Sequence, residues 1–221
     1  MDRGARALEL AGTFLSTVAW LCTLASTVTS QWLTLSTSLL PTESYELGLW
    51  ETCVVQELGA TQCRPYSSQL GLPPDIRLAR ALMCTALGSG LLGLTLAVPG
   101  LHLVHSCRGL RAQEAKRASK LLGGVFCLAA GVVGLVPVCY MAHLTVLRFF
   151  DESMPDVVPR WEFGSALFCG WAAGILHLLA GALLVGSALF CQGRPRIEPT
   201  PLQTPVSRAA HRSSGTKSEY V

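Results

Sequence analysis

Asparagine is absent from all 221 residues. No N-linked glycosylation acceptor therefore exists in the chain, and any surface it presents outside a cell is bare of that modification. Charge is scarce as well: 14% of residues are Asp, Glu, Lys or Arg, against about 25% in soluble domains. The scarcity is concentrated. Leu10 to Thr42, Ala81 to Cys107, Leu121 to Leu147 and Phe163 to Gly193 contain no charged residue. Each run exceeds the roughly 20 residues an apolar helix needs to cross about 30 Å of hydrocarbon, whereas a soluble helix keeps one polar face. Four such runs exclude a soluble globular domain and predict an α-helical membrane protein with four spans.

A secretory signal is the competing reading of the first run. It continues unbroken from Leu10 to about Ser30 with no persuasive cleavage site, so the span is expected to be retained. The spans fall at 7–30, 79–106, 121–146 and 163–191. Between them lie loops at 31–78, 107–120 and 147–162, with termini at 1–6 and 192–221.

Lys and Arg set the orientation. Arg3 and Arg6, then Arg108, Arg111, Lys116, Arg117 and Lys120, then Arg194, Arg196, Arg208, Arg212 and Lys217 gather on one side. That side is read as cytosolic, with both termini inside. Glu43, Glu46, Glu51, Glu57, Asp75, Asp151, Glu152, Asp156 and Glu162 mark the other. The net charge of +3 averages a basic face and an acidic one. It gives no reason to expect nucleic-acid binding, because the basic residues stand where bilayer topology and membrane lipid need them.

Catalysis has no visible seat. His102, His143 and His177 lie in or at the ends of spans without acidic neighbours in sequence, and His105 and His211 are cytosolic. No nucleophile–base grouping or phosphate loop stands out, and neither a cofactor nor a metal is expected. No span is expected to carry an ionisable residue other than histidine, which argues against a conduction path among the helices. Gly88, Gly90, Gly93, Gly123, Gly124, Gly131, Gly134, Gly170, Gly174 and Gly181 punctuate the spans. They are expected to serve packing within the bundle, ahead of dimerisation. Pro99 and Pro137 should bend their helices.

The segment after the first span is the one large enough for a folded unit outside the bilayer. Its apolar runs, Trp32–Leu39 and Leu47–Val55, are short, β-prone and separated by Pro41-Thr42, and predict a small antiparallel sheet. Pro74 or Asp75 is expected to start the next helix. Cys53 and Cys63 sit ten positions apart on the oxidising side. A disulfide there would stabilise by about 2–3 kcal/mol on the chain-entropy model. The alternative is two free thiols; a metal site competes poorly, since that loop holds no histidine. Cys22, Cys84, Cys127, Cys139 and Cys169 read as small apolar fillers. Cys107 and Cys191 stand where spans meet cytosol, and are either S-palmitoylation sites or inert thiols.

From Gln192 the chain turns polar and proline-rich, and disorder is expected. Glu219-Tyr220-Val221 ends it with an apolar residue beside a free carboxylate, the form a PDZ groove accepts as an added strand.

Trp32, then Gly48-Leu49-Trp50, then Cys53 and Cys63, closed by Arg80, resemble the claudin signature. Arg160, Glu162, Gly164, Leu167 and Gly170-Trp171 resemble the start of the claudin fourth span, and Tyr220-Val221 resembles claudin termini. The resemblance implies a left-handed four-helix bundle under an extracellular sheet, with four strands from the first loop and one from the second. It implies a tight-junction protein of the plasma membrane. Such a protein assembles with itself and other claudins in one membrane and between cells, as a barrier or a charge-selective pore. Scaffold proteins of the zonula occludens type would bind the tail. Arg64 occupies the position that helps set ion selectivity in the family; the competing reading is a solvated arginine beside Glu57. Gln69 stands where many claudins carry a bulky apolar residue for lateral docking, with Leu70 next to it, which puts efficient strand formation in question. Phe149 and Phe150 match the aromatic pair of the second loop, as assembly contacts or interface anchors. Sister tetraspans, such as myelin or epithelial membrane proteins and calcium-channel γ subunits, share the signature as membrane organisers or auxiliary subunits. The Tyr-Val terminus favours a claudin over them.

Overall fold

A computed structural model describes residues 3–36, 43–56, 60–68, 71–101, 110–151 and 160–190. In chain order the elements are α1 (Arg3–Val28), β1 (Leu33–Ser36), β2 (Glu43–Leu47), β3 (Glu51–Gln56) and β4 (Thr61–Pro65). Then follow α2 (Pro74–Gly100), α3 (Leu110–Phe149), β5 (Trp161–Phe163) and α4 (Ser165–Phe190). All four helices are long and apolar enough to cross a membrane. α2 starts at Pro74, where the missing N–H of proline is no loss, after Pro73 in extended conformation.

The helices alternate in direction, with α1 and α4 packed together, α3 against α2 and α4, and α1 touching α2. α3 has 40 residues, about 60 Å at 1.5 Å per residue. Helix therefore occupies most of the segment expected to be a loop at 107–120. Glycines let the backbones meet. A Cβ added at Gly123 would lie 2.9 Å from the Gly93 carbonyl oxygen, and one at Gly181 would lie 2.8 Å from that of Gly124. Gly170 and Gly174 instead make room for the side chains of Val138 and Leu135 of α3. These contacts stay within one chain, whereas Gly88 faces open space. Outward, Phe14, Leu91, Val125 and Ile175 are exposed on all four helices, the pattern of a bundle whose solvent is lipid.

One expectation needs correction. Charge does enter the bundle: Glu9 of α1 and Lys120 of α3 are buried together at the end away from the sheet, and Lys120 Nζ donates to Glu9 Oε1. Glu9 immediately precedes the first charge-free run and Lys120 the third, and the fold brings these two borders together.

The five strands form one antiparallel sheet in the order β4-β3-β2-β1-β5. Its register puts Leu33, Leu47 and Phe163 in one row. Leu33 is buried, and Leu47, Trp161 and Phe163 pack with it onto Met83, Val138 and Leu167 of three helices. That apolar face seats the sheet on the bundle.

Candidate functional site

The seat is locked by the signature residues. Trp32 Nε1 donates to the Ser26 carbonyl at 2.7 Å, and Trp50 Nε1 donates to that of Thr27 at 2.8 Å. Both carbonyls belong to the last turn of α1, where a helix has no internal donors left for them. The two indoles therefore cap the helix and fix the sheet in one step. Gly48 lies so close to Ser30 that an added Cβ would stand 2.5 Å from its Cα. Leu49 is fully buried, and its carbonyl accepts from Arg80 Nε at 2.6 Å.

Arg80 is 8% exposed. Its guanidinium lies 4.8 Å from the Trp50 ring centroid and 5.3 Å from that of Tyr66. A buried cation is tolerable there because a carbonyl and two ring faces replace its water. Tyr66 also donates to the Gly48 carbonyl at 3.2 Å. Replacing Arg80 by methionine keeps the bulk and removes the charge. The expected loss is about 2–4 kcal/mol of stability, from a charged hydrogen bond plus cation–π contact. Thermal unfolding of the purified protein in detergent measures it, and a change below about 0.5 kcal/mol would show that the indoles alone hold the sheet.

Cys53 and Cys63 face one another in β3 and β4 and are joined, Cα to Cα 4.0 Å. Glu51 lies within ligand distance of both sulfurs, but sulfurs bonded to each other offer no thiolate, and one carboxylate does not make a metal site. The first and second loops are stitched together as well. Gly164 N–H donates to the Trp32 carbonyl and Ala166 N–H to that of Gln31, each at 3.0 Å. The Gln31 side chain bridges Glu46, at 2.8 Å, and Ser165, at 2.6 Å.

Strand alternation sorts the charges. Cys53, Cys63, Glu46, Glu51 and Glu162 share the face turned away from the bundle. Arg64 falls on the other face, in the row of Thr52 and Leu47, but on edge strand β4, which is exposed throughout. Among the described residues Arg64 has no ion-pair partner; Glu57 lies outside them.

At the opposite edge a cleft of about 380 Å³ opens between the end of α3 and β5. Val146, Phe149, Phe150, Trp161 and Phe163 line it, with Thr145 and Glu162. Phe149 and Phe150 meet edge to face at 5.2 Å. Arg160 donates to the Phe149 carbonyl and stacks over its ring. Phe150 is 72% exposed.

The structure thus gathers Trp32, Gly48, Leu49, Trp50, Arg80 and the cystine into one anchor and sets Arg64 and the Phe149–Phe150 pair at its two edges. Gln69, Leu70, Cys107, Cys191, Glu219, Tyr220 and Val221 lie outside the described residues. Sequence reasoning missed Tyr66, Gln31 and the Glu9–Lys120 pair; a tyrosine three residues beyond Cys63 carried no pattern that separates it from an ordinary surface residue.

Residues 6–184 match the family model described as PMP-22/EMP/MP20/Claudin family. Claudin-3 of Rattus norvegicus is 34% identical over 216 residues, covering 96% of this chain and 95% of the relative. Claudin-5 of Homo sapiens is 34% identical over 220 residues, covering 98% and 97%. Claudin-9 of Homo sapiens is 38% identical over 169 residues, covering 75% and 76%. A four-helix bundle carrying a disulfide-pinned sheet, with relatives of this closeness along its length, belongs to the PMP-22/EMP/MP20/Claudin family, on its claudin branch.

Proposed function

We propose that this chain is a tight-junction claudin whose sheet faces the space between cells and governs what passes there. The observation that carries this reading is the anchor. Two indoles, one guanidinium and a cystine hold the sheet rigidly on four spans, so that its free face and edges are the surfaces available to neighbours and solutes. The Lys/Arg bias places the sheet outside the cell and both termini in the cytosol. No reaction is assigned to the chain.

Lateral assembly uses the cleft at Phe149 and Phe150, which takes an apolar side chain from a neighbouring copy or another claudin. Gln69 makes this chain a weak donor of such a side chain, with Leu70 as the nearer apolar substitute, so mixed assemblies with other claudins are favoured over strands of this chain alone. Glu219-Tyr220-Val221 joins a PDZ scaffold of the zonula occludens type. Cys107 and Cys191 are positions for palmitoylation at the cytosolic interface.

Expression in epithelial cells without endogenous junction strands tests the reading. The expected result is enrichment at cell–cell borders with a changed transepithelial resistance. Surface protein that alters neither resistance nor dilution potential would overturn it.

Arg64 is the selectivity determinant, set against the acidic free face of Glu46, Glu51 and Glu162. A fixed cation beside a narrow aqueous path opposes cations. Arg64→Glu is expected to raise the sodium-to-chloride permeability ratio, and Glu51→Gln to lower it. Ratios unmoved by Arg64→Glu would remove that residue from the passage.

A further inference from the structure

We propose that Arg6, Lys116 and Arg117, gathered around the Glu9–Lys120 pair, form a binding site for the phosphate-bearing headgroup of an anionic phospholipid. The buried hydrogen bond from Lys120 to Glu9 ties α1 to α3 at the end of the bundle away from the sheet. Residues three or four apart share a helix face. Arg6 therefore stands on the face of α1 that carries Glu9, and Lys116 and Arg117 on the face of α3 that carries Lys120. The ion pair brings these two faces together. Arg6 is exposed, and Lys116 and Arg117 are half-buried. One residue before Lys120, Ser119 Oγ donates to the Leu96 carbonyl, so this turn of α3 is docked on α2.

Charge and depth select the ligand. Four cations, Arg6, Lys116, Arg117 and Lys120, against two carboxylates, Glu9 and the exposed Glu114, leave a surplus of two positive charges. From Glu9 to Val28, α1 runs about 29 Å, close to the hydrocarbon thickness of about 30 Å. Glu9 and Lys120 thus mark the boundary of that layer. Arg6 and Arg117 each lie one turn beyond it, about 4.5 Å, and Lys116 about 6 Å. The headgroup layer is about 5–7 Å deep on each side. All three cations stand at the level of lipid phosphates, where a guanidinium fork takes two phosphate oxygens and a lysine supplies a point charge.

Basic residues flank many spans as orientation signals, and such a signal needs neither a shared level nor a shared face. Here cations from two helices share both, which is what a headgroup approached from the bilayer requires. A headgroup with several phosphates, as on a phosphoinositide, matches the surplus better than the single negative charge of phosphatidylserine. The site rests on the orientation proposed above only for its leaflet: with both termini in the cytosol, it draws on the cytosolic one. Binding in detergent involves no leaflet, so its failure would leave that orientation and the junction reading untouched.

The test titrates the full chain in detergent with a phosphatidylinositol bisphosphate, with phosphatidylserine, and with the bisphosphate headgroup freed of its acyl chains. Native mass spectrometry counts the bound molecules. The bisphosphate lipid should bind about tenfold tighter than phosphatidylserine, and the free headgroup should compete weakly, because it lacks acyl chains to lie against the helices. Arg6→Gln/Arg117→Gln should weaken lipid binding about 25-fold, roughly fivefold for each cation. Arg77→Gln, at the sheet end, should weaken it not at all. Equal binding by wild type and the double variant would place the lipid on other cations and overturn the assignment, as would a free headgroup that binds as tightly as the lipid. If the double variant fails to fold, amine labelling of the wild type decides. The lipid should protect Lys116, and unchanged labelling there would overturn the site.

Discussion

Lys120→Met is expected to lower the stability of the bundle by about 3–5 kcal/mol, the usual result of stranding one member of a buried ion pair. The side chains of Lys120 and Glu9 are 5% and 2% exposed. Removing the ammonium takes from the buried Glu9 carboxylate the Lys120 cation from which it accepts a hydrogen bond. Glu9→Leu should be costly for the mirror reason. The double variant Glu9→Leu/Lys120→Met should recover most of the loss, because two apolar side chains pack where two desolvated charges had to attract each other. Thermal unfolding in detergent of wild type, both singles and the double separates coupling from mere bulk. Singles no less stable than the double would mean that the pair is solvated in the membrane.

Gly164→Ala should be more severe. A Cβ there would sit 2.0 Å from the Gln31 carbonyl oxygen, 2.6 Å from its carbonyl carbon and 3.0 Å from the Trp32 carbonyl carbon. All three are backbone atoms, so no side chain can swing away. The methyl group has to drive β5 off β1 and break the hydrogen bonds from Gly164 to Trp32 and from Ala166 to Gln31. A cost above about 4 kcal/mol is expected, enough to unfold a marginally stable domain. The measurable outcome is retention inside the cell and loss of a monodisperse species in detergent. Gly88→Ala, with no atom within 4 Å, is the control and should behave as wild type. Equal surface expression of the two variants would refute the tight approach.

Four spans were legible because hydrocarbon tolerates no charge and a charge-free run is visible without a partner. The sheet was legible in outline from Trp32, Leu47, Val54 and their spacing, and the family resemblance supplied the fifth strand. What each signature residue does was not. Trp32 and Trp50 look like apolar anchors in sequence, yet their N–H groups serve carbonyls 6 and 23 residues back. Arg80 stands in sequence only as the residue that closes the signature, and the fold surrounds it with Leu49, Trp50 and Tyr66. The Glu9–Lys120 pair spans 111 residues, and each member borders a charge-free run, the usual place for a solvated charge. Strand parity, which places Arg64 and the three glutamates on opposite faces, needs a register that alternation alone leaves ambiguous by one residue.

The joint between sheet and bundle has a mechanical consequence. Trp32 and Trp50 grip the last turn of α1, and Gly164 and Ala166 bind the first residues of α4 to the segment leaving α1. A tug on the sheet from an adjoining cell would have no slack linker to stretch first. Tension would pass straight into two adjacent helices, and the resistance of the contact to shear would be set by how firmly α1 and α4 hold together.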